Sequence, residues 1–119
     1  LRSCAERMQE AHAKGDHEAE SAVDIELHET LFRLTDNTVL VSAAKFVTDL
    51  LEHSVRFGRR VILEGGLNPD ELLGQHLEIV DAVIAGDPPR AARAMGQHMQ
   101  LVIDFYLQRY PEEGETPQE

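Results

Sequence analysis

Hydrophobic residues recur at three- and four-residue intervals along most of the chain, which is the periodicity of amphipathic α-helices. The third of the segments with this pattern is apolar on more than one side, so we expect a central helix that is kinked or broken near Gly58. No segment alternates as a β-strand would, and the pattern therefore predicts an all-α, antiparallel helical bundle without a β-sheet. The predicted helices are Leu1–Lys14, Glu18–Asp36, Thr38–Glu64, Pro69–Ala85 and Asp87–Tyr110.

Turn and capping residues separate these segments. Gly15 and Gly86 are suited to the left-handed conformation that ends a helix, and Asn37 marks another turn. Asp16 can cap the second helix, and Asn68 followed by proline is a strong start signal for the fourth. Because the turns are short, consecutive helices should run antiparallel.

Length and composition favour one small domain. At 119 residues with 42% hydrophobic content, the chain can bury one core. No stretch reaches the roughly 18 apolar residues that cross a bilayer, and the first residues do not resemble a signal peptide, so a soluble cytoplasmic protein is the default expectation. The single cysteine, Cys4, cannot form an internal disulfide and is expected to be a small buried residue.

The charge balance argues against direct nucleic-acid binding by this chain. It has 11 basic and 22 acidic residues and a net charge of −11. This charge repels a phosphate backbone, and the sequence has no basic stripe that could release counterions.

Four potential metal ligands occupy positions where a helical hydrophobic stripe should carry an apolar side chain: Asp24, His28, His76 and His98. Burying one such group is costly, and burying four is most simply explained if they share a metal ion. Asp24 and His28 lie four residues apart on one predicted helix, so both can reach one ion.

The two late histidines are spaced like the matched arms of a hairpin. His76 lies ten residues before Gly86, and His98 lies eleven residues after Asp87. At a rise of 1.5 Å per residue, the two arms are each roughly 15–17 Å long. If the helices fold back at this turn, both imidazoles end at the same height.

Other histidines leave alternatives open. A lone histidine on an apolar face is more often a hydrogen-bonded core residue than a ligand, and only the joint pattern favours a metal. His53 could also face inward and be a rival or auxiliary ligand. His12 and His17 lie near a helix end and are expected to be exposed.

One carboxylate and three imidazoles suit Zn, Ni, Co, Mn or Fe(II) and suit Ca or Mg poorly. Four protein ligands leave up to two positions in an octahedral shell, and a small chelating carboxylate is a natural guest there. A nearby arginine could supply a second charge to such a guest, and the candidates are Arg56, Arg59 and Arg60. For any one of them, a solvated position at a helix end is the more common role.

Two motifs resemble a known family. The segment DIELHETLFRLTDN, residues 24–37, is similar to the D-x-x-F-H-x-x-(I/L)…N signature of the FCD ligand-binding domain of GntR-type bacterial transcription regulators. Residues 75–99, QHLEIVDAVIAGDPPRAARAMGQHM, resemble the second signature, with a Gly-Asp turn and a closing histidine. The resemblance extends from Leu1 to about Tyr110. The chain departs from the first signature at Leu27, where the family usually has phenylalanine.

The resemblance implies metal ligation by Asp24, His28, His76 and His98, with zinc as the first expectation. It also implies an all-helical effector sensor, usually homodimeric, that binds a metal and a small carboxylic acid such as lactate or pyruvate. Residues 1–110 would form this domain and residues 111–119 a polar, disordered tail. The DNA-binding winged helix-turn-helix domain, and the first helix of the sensor, would lie outside this chain.

Two other function classes are alternatives to this non-enzymatic reading. A metal-dependent hydrolase would use a metal-bound water, but it needs a general base, and the sequence offers no obvious inward-facing glutamate beyond the ligands. A helical interaction module with a structural metal would fill every coordination position with protein ligands.

Overall fold

The computed structural model describes residues 1–39, 41–42 and 48–111, with the side chains of 48–51 left aside. The described residues confirm the all-α fold and contain no strand. None of their helices combines the length and apolar character needed to cross a membrane. The five delimited helices are α1 (Arg2–Lys14), α2 (His17–Leu34), α3 (Thr48–Glu64), α4 (Pro69–Ile84) and α5 (Pro88–Arg109).

The first of two compact units, Leu1–Phe57, contains the α1–α2 hairpin. Gly15 ends α1 in the left-handed conformation with φ 68°, and Asp16 caps α2 by accepting a hydrogen bond from the Ala19 N–H at 3.1 Å. Both features were predicted, because a short turn needs a residue that tolerates positive φ followed by a side-chain acceptor. The buried apolar residues of this hairpin are Cys4, Met8, Ala11, Val23, Ile25 and Leu27.

An ion pair also joins α1 and α2. Arg7 Nη1 donates to Glu26 Oε1 at 2.8 Å, and a second guanidinium nitrogen donates to the other carboxylate oxygen. This bidentate bond holds the pKa of Glu26 below its ordinary value and raises the pKa of Arg7. Cys4 is buried, as expected, with its thiol 3.7 Å from Glu26.

The second unit, Gly58–Glu119, contains the α4–α5 hairpin. Asn68 caps α4 by accepting from the Asp70 N–H at 2.8 Å, and Asp87 caps α5 by accepting from the Arg90 N–H at 3.2 Å. Gly86 forms the turn with φ 67°. The guanidinium of Arg90 then binds Glu78 of α4 through two 2.8 Å contacts, so each hairpin has its own interhelical arginine–glutamate pair.

A cluster of buried side chains lies at the open end of the second hairpin. Gly65, just after α3, is closely approached by Phe105 of α5, since a Cβ built on it would lie 2.6 Å from the Phe105 ring. Glycine at this position is therefore required by packing. The cluster consists of Ile62, Leu67 and Leu72, with Leu63, Leu101, Val102 and Phe105 packed against it.

The predicted helix bounds agree with the structure to within about two residues, except in the third segment. α3 runs through Gly58 without a break, so the expected break there is wrong, whereas the kink expected as its alternative stays a prediction. The predicted start at Thr38 is confirmed, since residues 38–39 and 41–42 are helical and the Asn37 side chain accepts a hydrogen bond from the Val39 N–H at 2.9 Å. Residues 40 and 43–47 lie outside the described part, so an unbroken helix from Thr38 to α3 stays a prediction, as does the tail at 112–119. Leu34, the last residue of α2, is 55% exposed.

Candidate metal centre

Asp24 and His28 form a carboxylate–imidazole pair on α2. They lie one helical turn apart, and His28 Nε2 is 3.2 Å from Asp24 Oδ1. The Asp24 carboxylate is almost fully buried at 2% exposure, whereas the His28 side chain is 20% exposed. Local helical geometry alone thus produces this pair, as the four-residue spacing predicted.

His76 of α4 and His98 of α5 meet across the second hairpin. Their ring centroids are 4.7 Å apart, in an edge-to-face arrangement with an interplanar angle of 64°. Both residues are buried, with 1% and 5% exposure. The equal-height prediction from the arm lengths about Gly86 is confirmed.

A glutamine orients one of these imidazoles. Gln75 Oε1 lies 2.8 Å from His98 Nδ1. An amide oxygen can only accept a hydrogen bond, so this contact places the proton of a neutral imidazole on Nδ1 and makes Nε2 the nitrogen suited to a metal. Sequence reasoning missed Gln75, although its position next to His76 on the hairpin could have indicated it.

His28, His76 and His98 form a group that could hold a metal ion. One ring nitrogen from each of these residues lies within 4.8 Å of the others. Three imidazole nitrogens are borderline donors, and two of the three rings are buried, which fits a transition metal far better than an alkaline-earth ion. Three of the four ligands predicted from the sequence thus belong to this group, and the fourth, Asp24, contacts His28.

The other predicted site residues have different surroundings. His53 is exposed and stacks on Phe57 with a centroid distance of 6.3 Å, so it does not face inward. Arg56 Nη1 lies 2.8 Å from Glu18 Oε1, and Arg56 Nε lies 3.6 Å from a carboxylate oxygen of Glu52. Arg59 is buried at 7% exposure, whereas Arg60 is exposed.

The structure also buries a glutamate that the sequence analysis overlooked. Glu20 is 3% exposed and lies 3.4 Å from His12 Nδ1. The expectations that His12 is exposed and that no further glutamate faces inward are therefore wrong, whereas His17 is exposed as predicted. Glu20 lies four residues before Asp24, so the same helical spacing that identified the Asp24–His28 pair could have identified it.

Comparison with known sequences adds a family to this geometry. Residues 1–101 match the FCD domain family. A protein from Escherichia coli K12, named for regulation of the L-lactate dehydrogenase operon, is 29% identical over 93 residues, which cover 78% of this chain and 36% of that protein. The corresponding protein of Shigella flexneri gives the same values.

A third relative comes from Streptomyces ambofaciens and is named as an HTH-type transcriptional regulator in an unstable DNA locus. It is 35% identical over 85 residues, which cover 69% of this chain and 33% of the relative. The chain therefore spans about a third of the length of these three relatives.

Proposed function

Because this chain belongs to the FCD domain family of GntR-type transcription regulators, we propose that it is a ligand-sensing domain that binds a divalent metal and, on that metal, a small carboxylic acid. Transcription regulators of this kind are normally non-enzymatic. The observation that carries the proposal is the group of three histidine ring nitrogens within 4.8 Å of one another.

The proposed metal ligands are Asp24, His28, His76 and His98. The donor chemistry fits, since three neutral imidazoles and one carboxylate are typical of zinc, with nickel, cobalt, manganese and iron(II) as further candidates. When bound, the metal supplies a Lewis-acid position for an oxygen of the guest. The buried Asp24 carboxylate adds one negative charge beside His28, which offsets part of the charge of the cation.

The proposed effector is a short hydroxy- or oxo-carboxylic acid. Such an acid can chelate through two oxygens, and a guanidinium is the side chain best suited to the rest of its carboxylate. Arg59 and Arg56 are the candidates, and we test Arg59 first because it is buried, as a residue that contacts an enclosed guest should be. Lactate is the first acid to test, because two relatives are named for the L-lactate dehydrogenase operon.

Regulation would act through parts of the protein beyond this domain. We propose that the complete regulator has an N-terminal helix-turn-helix domain, that it is a homodimer, and that effector binding changes how the two DNA-binding domains are held. The HTH-type name of the Streptomyces relative and the partial coverage of all three relatives support this organisation.

The test is calorimetric titration of the zinc-loaded chain with L-lactate and pyruvate, alongside lactamide, which lacks the carboxylate. We expect the acids to bind and raise the melting temperature, and lactamide to do neither. Arg59→Met should weaken acid binding without changing zinc content, while Arg60→Met serves as the exposed control. Zinc binding without a response to any short carboxylate would leave a structural metal and overturn the sensing proposal.

A further inference from the structure

A polar link between α4 and α5 lies close to the proposed ligands of the second hairpin. Glu78 comes two residues after His76 on α4, and its carboxylate accepts hydrogen bonds from Nε and Nη2 of Arg90 on α5, both at 2.8 Å. Two parallel bonds between a guanidinium and a carboxylate fix the direction of the contact as well as its distance. The link therefore joins the two helices within one turn of a proposed ligand.

Arg90 is held at its backbone as well as at its guanidinium. Its N–H donates to Asp87 Oδ1 at 3.2 Å, in the cap at the start of α5. This one residue thus connects the turn of the hairpin with the part of α4 that carries His76. Any slide of α4 along α5 would have to stretch or break the contact between Arg90 and Glu78.

The second polar contact near the proposed ligands has a different effect. Gln75, which lies 2.8 Å from His98 Nδ1, comes three residues before Glu78, so the two side chains are neighbours on one face of α4. Both line the groove that α4 forms with α5. Gln75 restrains the orientation of the His98 ring, whereas the link between Arg90 and Glu78 restrains the position of one helix along the other.

We propose that Arg90 and Glu78 are positioning residues for the metal centre, an inference that rests on the proposed metal binding by His76 and His98. Metal–ligand distances tolerate deviations of only about 0.2 Å, whereas a slide of one helix by a single residue moves a ligand by about 1.5 Å. An exposed ion pair adds little to the stability of a fold. It can nevertheless hold two helices in the alignment that a metal requires, so its loss should weaken metal binding.

The first hairpin contains a matched pair for comparison. Arg7 and Glu26 join α1 and α2 through a contact that is also bidentate. Their side chains are 43% and 44% exposed, against 34% and 46% for Arg90 and Glu78. The proposed ligands of the first hairpin share one helix, so the alignment of α1 with α2 does not set the distance between them.

The experiment compares Arg90→Gln with Arg7→Gln in the full chain. Each substitution removes one positive charge from a chain of net charge −11, so the long-range attraction of a cation changes alike in both. Chelator competition should show that Arg90→Gln lowers zinc affinity about three- to fivefold, which is the most that an exposed ion pair usually contributes, and that Arg7→Gln lowers it less than about twofold. Urea unfolding without metal should show similar, small losses of stability in both.

Two further measurements separate a positioning role from a general loss of stability. The visible absorption bands of bound cobalt(II) depend on the arrangement of its ligands, so they should change in Arg90→Gln and stay unchanged in Arg7→Gln. The double variant Arg90→Glu with Glu78→Arg exchanges the two charges. It should restore zinc affinity to within about twofold of the unmodified chain, because the two helices are again joined by an arginine and a glutamate.

The outcomes distinguish a failure of the positioning role from a failure of metal binding itself. An unmodified chain that binds neither zinc nor cobalt would overturn both the proposed function and this inference. If the unmodified chain binds zinc and Arg90→Gln binds it as well as Arg7→Gln does, only the positioning role is overturned. A cobalt spectrum unchanged in Arg90→Gln, or a charge exchange that restores no zinc affinity, would overturn it as well.

Discussion

The two helical hairpins supply candidate ligands by different physical routes. In the α1–α2 hairpin, Asp24 and His28 share one helix, and their 3.2 Å contact follows from four-residue spacing alone. In the α4–α5 hairpin, His76 and His98 come from two helices, and their approach depends on the turn at Gly86. Helix geometry fixes the distance within the first pair, whereas the alignment of two helices fixes the distance within the second. Substitutions far from the site should therefore disturb His76 and His98 more easily than Asp24 and His28.

The largest expected effect on zinc binding comes from substituting His76, a proposed ligand whose position depends on the alignment of α4 and α5. His76→Gln should weaken zinc binding by at least about 100-fold, more than the loss of an outer hydrogen bond usually costs. Chelator competition and metal analysis of the purified protein measure this. The control is His53→Gln on the exposed surface, and equal zinc affinity in both variants would contradict the assignment of His76.

Removing the hydrogen bond that orients His98 should have the next largest effect. Gln75→Leu deletes the 2.8 Å contact to Nδ1, and zinc affinity should fall by about 10–100-fold. Gln97→Leu changes an exposed glutamine of the same hairpin and should leave zinc affinity unchanged. Equal affinities in the two variants would mean that Gln75 has no orienting role.

The two turn glycines test the comparison between the hairpins directly. Gly15 and Gly86 have nearly the same φ, 68° and 67°, so alanine at either should cost about 1 kcal/mol of unfolding free energy. Only Gly86→Ala should also weaken zinc binding, because only the second pair depends on a turn. Urea unfolding and zinc titration of both variants measure the two quantities, and an equal loss of zinc affinity would contradict the distinction.

The smallest expected effect is on stability, and it concerns the arginine–glutamate pair that joins the two helices of each hairpin. The bound arginine lowers the pKa of Glu26 and of Glu78. The ion pairs therefore stabilise the folded chain above the unfolded carboxyl pKa of about 4.3, and this stabilisation is lost as the pH falls through the lowered pKa of the folded state. Both carboxylates are exposed, so Glu26→Gln and Glu78→Gln should each reduce stability only slightly at pH 7.

Urea unfolding at several pH values tests the expected direction of this pH dependence. The difference between the unmodified chain and either variant should shrink as the pH falls below about 4. A difference that grows on acidification would mean that the ion pairs are not its source.

Most of the features that were predicted correctly are helix caps and turns, which depend on a few neighbouring residues. The caps at Asp16, Asn68 and Asp87 follow from side-chain acceptors placed just before helical segments, and the turns at Gly15 and Gly86 follow from positive φ. These features depend on a few neighbouring residues, so sequence reasoning could reach them. The expected break at Gly58 failed because one glycine weakens a helix without ending it.

Side-chain surroundings were harder to predict. Glu20 is buried beside His12, although glutamate is ordinarily a surface residue, and His53 is exposed, although the sequence allowed it to face inward. Arg56, a predicted effector-binding residue, has carboxylate oxygens of Glu18 and Glu52 at 2.8 and 3.6 Å. Each outcome depends on which part of the fold covers the side chain, and hydrophobic periodicity along the sequence does not specify this.

The sequence by itself determined the helices, their caps and turns, the Asp24–His28 pair and the equal heights of His76 and His98, because these depend on spacing along one helix or one hairpin. Only the tertiary structure decided that Gln75 orients His98, and that one nitrogen each of His28, His76 and His98 falls within 4.8 Å. The reason is physical: helix geometry fixes distances within a segment, whereas the packing of side chains fixes distances between segments.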